Sequence, residues 1–513
     1  MTTLVSKHTD GTQGDDLSTS PVVSADGEHI VFTSRAENLV DGDVNDVADV
    51  LMHDTATGIT KLISRHTDGT QGDGDSFGAS VSAGGRFVAY HSASANLVDG
   101  DVNLTFDIFL FDNATNTTTL ISTAADGTAA NQASFNPVIS ADGRFIVYES
   151  LASNIVAGDV VGTADLFLYD ALTGTTTLIS KNNDGTFGNG SSKGQSISAD
   201  GRYITYDSAA TNLVADDTNN ANDVFLFDRV TGTTTLVSKG PDGAVGTGPS
   251  DNASISANGK FIAYESSSTN LVGSDTNNAI NDVFVYDVEN DTTTVVSKST
   301  AGTQGNFNSF KPSISANGQY VAFESEATNL VSGDTNVVRD IFVHNRENGE
   351  TEMVSVPSGS SALANDVSLL ASISGDGRVV AYASDATNLI NMDSNAESDV
   401  FAATTPNWTS SSNWAYGWNT GWYVGWGVGW YTGWEIGWYY GWGVGWHVGW
   451  YYGWYYGWYL GASGWTVGWS VGWANGWTVG WNVGWHNGWH VGWLFGWNNG
   501  WHFGDNVGWH LAS

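Results

Sequence analysis

The chain has 513 residues, 54 acidic and 17 basic, for a formal net charge of −37. A polyanion of that size repels nucleic acid and anionic headgroups and attracts cations, so nucleic acid is not an expected partner. Cysteine is absent, which excludes disulfides and thiol chemistry, and no apolar run is long enough for a membrane helix. Hydrophobic residues make up 41%, enough for a core despite the acidity.

The chain opens Met1-Thr2-Thr3-Leu4-Val5-Ser6-Lys7, with neither the basic nor the apolar region of a secretory leader. One phrase then recurs seven times: a Ser-Ala-Asp-Gly-type turn, a short apolar strand, Asn-Leu-Val, an acidic loop, and Asp-Val-Phe. Its loop aspartates fall at Asp43, Asp101, Asp159, Asp217, Asp275, Asp334 and Asp393, spaced by 58, 58, 58, 58, 59 and 59 residues. Such a period marks a repeat architecture.

In the fourth unit four strand-like runs are read at Gln195–Ser198, Tyr203–Asp207, Asp223–Phe227 and Thr233–Ser238. Each is short, rich in β-branched and aromatic residues, and bounded by Gly, Asp or Asn. Asp200-Gly201 between the first two supplies the positive φ of a tight hairpin turn. Four antiparallel strands per repeat make a propeller blade, and the unit exceeds the roughly 40–45 residues of a lean WD blade by its long loops.

The seventh unit stops at Asp399-Val400-Phe401-Ala402-Ala403-Thr404 without its last strand. Thr2-Thr3-Leu4-Val5-Ser6-Lys7 matches Thr234-Thr235-Leu236-Val237-Ser238-Lys239, so the missing strand is found at the opposite end. Residues 1–405 are therefore expected to form an all-β, seven-bladed propeller closed by its N-terminal strand, with no leader ahead of Met1.

Ser196 to Arg202 (Ser-Ile-Ser-Ala-Asp-Gly-Arg), Asn212 to Asn219 and Asp223 to Asp228 resemble the TolB-like, WD-like β-propeller repeats of bacteria. The resemblance covers residues 1 to about 405 and implies a binding platform more often than an enzyme. Propellers of this kind also precede peptidase domains, but no hydrolase domain is read in the sequence after residue 405. The expectation is a protein without enzymatic activity.

Each acidic loop carries Asp-x-Asn-x-x-x-Asp or a variant of it. The sets are Asp43, Asn45 and Asp49; Asp101, Asn103 and Asp107; Asp217, Asn219 and Asp223; Asp334, Asn336 and Asp340; Asp393, Asn395 and Asp399. The fifth unit inserts a residue, giving Asp275, Asn277 and Asp282, and the third has Val161 for Asn between Asp159 and Asp165. Hard oxygen ligands in a tight loop suit Ca²⁺, although the loop glycine and terminal glutamate of an EF-hand are missing. Asx-turns, in which Asp or Asn side chains bond their own backbone, produce the same letters, and both readings stand.

All 24 tryptophans lie at or beyond Trp408 in a Gly-Trp-x-x repeat, one array from Trp414 to Trp458 and a second from Trp465 to Trp509. Residues 406–513 are read as a second, β-like segment in two halves, with no Lys or Arg beyond Trp408 and only Glu435 and Asp505 acidic. Trp faces can build the segment's own core, stack on sugars or associate between chains. Acidity, absent cysteine, candidate Ca²⁺ loops and a low-charge C-terminus together resemble type I secretion substrates. That likeness implies an uncleaved C-terminal address and folding promoted by external calcium. The expectation is a secreted or cell-surface binding or matrix protein that meets a protein or surface glycan through its loops or tail, or self-associates. A cytoplasmic location, a lectin-like protein and, last, a propeller hydrolase or lyase are the alternatives.

Overall fold

The computed structural model describes residues 1–404 apart from 102, 160–161, 216, 274, 278–279, 359–361 and 392. The Gly-Trp-x-x segment, with every expectation placed on it, lies outside the described residues. These hold 28 strands in seven four-stranded antiparallel sheets. Among them no helix is long and apolar enough to cross a membrane.

Each sheet is one repeat. In blade 4 the strands, lettered a to d in chain order, are Ser192–Ile197, Tyr203–Ser208, Asp223–Asp228 and Thr233–Leu236. Strands b, c and d start close to where the sequence places them. Strand a begins three residues early because it contains a bulge: Gly194 has φ of +64° and the register shifts between Lys193 and Ser196. All seven a strands have this irregularity, which interrupts the two-residue alternation by which a strand is recognised.

Successive a strands abut one another around a closed circuit, the last against the first, so they surround the propeller axis. Blade 7 is built as expected. Its a, b and c strands are Ser368–Ile373, Val379–Ser384 and Asp399–Thr404, and its d strand is Thr2–Leu4. Thr2 pairs with Ala403, Thr3 with Ala402 and Leu4 with Phe401. Val5 N–H then donates to Val400 O at 2.8 Å, so that both ends of the domain share one sheet.

The core lies between blades. Seven apolar clusters each join neighbouring sheets. Within blade 4, Tyr206 stacks on Phe225 with centroids 5.7 Å apart, and both are fully buried. Equivalent pairs recur in blades 2, 3, 5, 6 and 7. Burying a side chain of this size contributes about 1.5–3 kcal/mol. At the a–b turn Gly201 has φ of +67°, and a Cβ there would lie 2.2 Å from the Phe145 ring of blade 3. Glycine therefore serves both the turn and the contact between blades.

Antiparallel order places the b–c loops and the connections from d to the next a strand on one face. That loop face carries every acidic loop.

Candidate functional site

The second aspartate of each loop is the first residue of strand c and is buried. In every blade its Oδ1 accepts a hydrogen bond from a serine just beyond strand d: Ser64 to Asp49 at 2.5 Å, Ser122 to Asp107 at 2.6 Å, Ser180 to Asp165 at 2.7 Å and Ser238 to Asp223 at 2.6 Å. Ser297 serves Asp282 at 2.6 Å, Ser355 serves Asp340 at 2.7 Å and Ser6 serves Asp399 at 2.6 Å. Burial is the main cause that pushes Asp49, Asp107, Asp223, Asp340 and Asp399 up to about 6. It also raises Asp165 and Asp282, and the leading aspartates Asp43, Asp101, Asp217 and Asp334.

The loop asparagines staple one blade to the next. Asn45 Nδ2 donates to Gly72 O, Asn103 to Ala130 O, Asn219 to Gly246 O, Asn277 to Gly305 O, Asn336 to Ala364 O and Asn395 to Gly14 O, all within 2.8–3.2 Å. Several also form Asx-turns, as where Asn219 Oδ1 accepts from Ala221 N at 2.9 Å. The turn reading of these letters is thus present in the loops.

The slot between the two aspartates differs from blade to blade. In blade 7, Gln13 Nε2 lies 2.8 Å from Asp393 Oδ1 and 2.6 Å from Asp399 Oδ2. Gln304 bridges Asp275 and Asp282 in blade 5 at 3.2 and 3.0 Å, and Gln71 bridges Asp43 and Asp49 in blade 1 at 2.5 and 3.1 Å. The same loop position is Ala129 for blade 2, Phe187 for blade 3, Val245 for blade 4 and Leu363 for blade 6. In blade 3, Thr163 Oγ1 donates to Asp165 Oδ2 at 3.3 Å and Asp159 hydrogen-bonds Asp165. Among the described residues no three His, Cys, Asp or Glu side chains converge as a metal cluster. Each slot therefore offers two carboxylates at most.

Nearer the axis the loop face has a mouth that the sequence did not signal. It is built from the second residue of strand a, the bulge after it, the fifth residue of strand b and the residue before strand c. In blades 2 and 3 these positions carry Phe77, His91, Phe106 and Phe135, with His91 edge-on to Phe106 at 5.5 Å and to Phe135 at 5.6 Å. Burial pushes His91 down to about 4, and its Nδ1 accepts from the Asn136 backbone N–H at 3.2 Å. From blade 3 to blade 6 the same positions carry Glu149, Asp207, Asp251, Glu265 and Glu324. Glu265 accepts from the Lys311 bulge N–H at 2.6 Å, and Glu324 from the Leu370 bulge N–H at 2.7 Å and from Arg339 at 3.3 Å. Asp207 is pushed up to about 7 by burial and then by the charge of Asp251. Side chains from five blades meet here only because the a strands converge, so no local motif exists to announce the mouth. The one sequence trace is the variation of Thr33, His91, Glu149, Asp207, Glu265, Glu324 and Ala383 at equivalent points of otherwise similar repeats.

No protein-family model matches the chain, and no curated protein is similar to it in sequence. Among solved structures it is similar to TolB from Acinetobacter baumannii at 16% identity and a TM-score of 0.36, over 66% of each chain. It is also similar to a putative TolB from Agrobacterium tumefaciens at 15% identity and a TM-score of 0.37, over 68% of this chain and 94% of that one. An oligogalacturonate lyase from Vibrio parahaemolyticus matches at 12% identity and a TM-score of 0.48, over 79% of this chain and 94% of that one. The seven-bladed propeller itself rests on this chain's own strand pairing, and a TolB and a putative TolB are among the solved structures similar to it.

Proposed function

We propose that the chain is a secreted or cell-surface binding protein without enzymatic activity. The propeller is the platform, and the Trp-rich segment serves secretion, attachment or self-assembly. The observation that carries the platform is the two-sector mouth, a cluster of Phe77, Phe106 and Phe135 beside a group of buried and half-buried carboxylates. Aromatic faces next to a carboxylate sector suit a protein segment that presents Lys or Arg among apolar side chains. His91 supports binding over catalysis, since it is held neutral between two phenylalanine rings with its Nδ1 occupied by a backbone N–H.

Peptide arrays with Lys, Arg, Glu and Phe varied along an extended segment test the platform. Cation-bearing peptides should be retained, less so at high salt, and Phe106→Ala or Asp251→Asn should weaken retention at least tenfold. Equal retention of acidic and basic peptides, or retention insensitive to both variants, overturns it. Deleting residues 408–513 tests the other half: unchanged export and surface attachment removes the role given to that segment.

A further inference from the structure

We infer that blades 2, 4 and 6 each hold a divalent cation of the calcium type between the two aspartates of the acidic loop, in the place taken by a glutamine amide in blades 1, 5 and 7. The contrast lies within one molecule. Where glutamine is present, its Nε2 sits between two carboxylates, within 2.6–3.2 Å of each in blades 5 and 7. That point is where positive charge is most favoured, and the amide supplies it as two N–H dipoles. Ala129, Val245 and Leu363 hold the same loop position for blades 2, 4 and 6 and carry no donor.

The buried loop carboxylate oxygens without a hydrogen-bond partner among the described residues are confined to those three blades. They are Asp107 Oδ2 in blade 2, Asp217 Oδ1 and Oδ2 with Asp223 Oδ2 in blade 4, and Asp334 Oδ1 with Asp340 Oδ2 in blade 6, where Asn336 Oδ1 joins them. Asp107, Asp223 and Asp340 are 0% exposed. Their other oxygen is already fixed by serine, so the orphaned one faces the partner aspartate of its own slot, whose charge raises each of them. The Asn103, Asn219 and Asn336 amides pull these carboxyls down, but each Nδ2 is directed to a backbone carbonyl of the next blade and completes no hydrogen bond to Oδ2. Blade 3 lacks the loop Asn, and Thr163 covers its Oδ2, so it is outside the set.

Facing carboxylates with buried oxygens that no donor covers are costly unless a cation or a proton lies between them. A water molecule can fill the slot but cannot neutralise it. The available ligands are all oxygen, namely carboxylates, backbone carbonyls and solvent. Ca²⁺ accepts six to eight such ligands at roughly 2.3–2.6 Å in irregular geometry, whereas Mg²⁺ requires near-octahedral ligands at about 2.0–2.1 Å. With two carboxylates per slot the affinity belongs in the range of about 10⁻⁴–10⁻³ M typical of extracellular calcium modules.

The test is calorimetric titration of the chelator-treated full chain with calcium chloride, paired with thermal melting. Three sites are expected, together with a melting temperature that rises with millimolar calcium. Val245→Gln copies the amide of blades 1, 5 and 7 into blade 4 and should leave two sites, while Gln13→Val, which removes the donor to Asp399 Oδ2 in blade 7, should open a fourth. No heat and no shift in melting temperature means the slots hold protons or water, and overturns the inference. So does a site number unchanged in Val245→Gln, or binding in all seven blades. Magnesium of equal affinity overturns the assignment to calcium.

Discussion

Ser64→Ala isolates the serine–aspartate contact that recurs in every blade, in a blade whose slot is bridged by glutamine. Ser64 Oγ donates to Asp49 Oδ1 at 2.5 Å and accepts from Val50 N–H at 3.1 Å, so one methyl-sized change orphans a carboxylate oxygen and an amide together. A hydrogen bond to a charged group contributes about 1.5–3 kcal/mol, and a buried donor without a partner costs about 1–3 kcal/mol. Asp49 is pushed up to about 6, chiefly by burial and against the Ser64 hydrogen bond. A folded value above the unfolded one favours the neutral form. The associated stability is complete below the unfolded value of 3.8 and is lost as pH rises through about 6. Removing Ser64 raises the folded value further and penalises the charged form most. The expected loss is about 3–5 kcal/mol near pH 8 and about 1–3 kcal/mol near pH 5, where only the Val50 amide is left wanting. Urea unfolding of the full chain at both pH values reads this as a midpoint shift at constant slope. A loss equal at the two pH values would show that Asp49 does not carry the charge assigned to it, and no loss at either would refute the buttress.

Gly201→Ala meets both a positive φ and the Phe145 ring, whereas Gly185→Ala, with φ of +84°, has no neighbour within 4 Å. Thermal melting should therefore show a large loss at residue 201 and about 1 kcal/mol at residue 185; equal losses would mean that backbone strain alone matters. His53 is held down to about 4 by burial and then by Lys7, so its contribution is present above 6.5 and lost as pH falls through about 4. His53→Gln should flatten the acid limb of a stability–pH curve, and an unchanged limb assigns that limb to other groups. Deleting residues 1–6 strips strand d from blade 7 and orphans Asp399 Oδ1. The melting temperature should fall and recover on adding a Thr-Thr-Leu-Val-Ser-Lys peptide, while an unaltered melt would show that closure adds no stability.

The ring was legible because its information is local and repeated. Turn glycines, β-branched runs and a period of 58 specify a blade without reference to any other blade, and the match between Thr2–Lys7 and Thr234–Lys239 joins the two ends by the same rule. The start of strand a was not legible. Its bulge residue, Ser20, Gly78, Asn136, Gly194, Asn252, Lys311 or Leu370, adopts positive φ through tertiary contact, and residues as unlike as lysine and leucine are held there. Lys311 N–H and Leu370 N–H are satisfied by Glu265 and Glu324 of the preceding blades. A one-dimensional pattern has no access to a hydrogen bond from a neighbour 46 residues away.

The acidic loops show how a single motif divides its work by atom. Read as letters, Asp-x-Asn-x-x-x-Asp served calcium and turns equally well. In space the asparagine makes the turn and the staple, Oδ1 of the second aspartate takes the serine, and only Oδ2 and the first aspartate face the slot. What the slot can accept is then decided outside the motif, 22 or 23 residues beyond the second aspartate, by whether the next loop brings glutamine or an apolar side chain. Identical loops can therefore differ in charge balance from blade to blade. The repeat supplies the scaffold seven times, and departures from it at Gln71, Val245 and Leu363 carry the chemical distinctions.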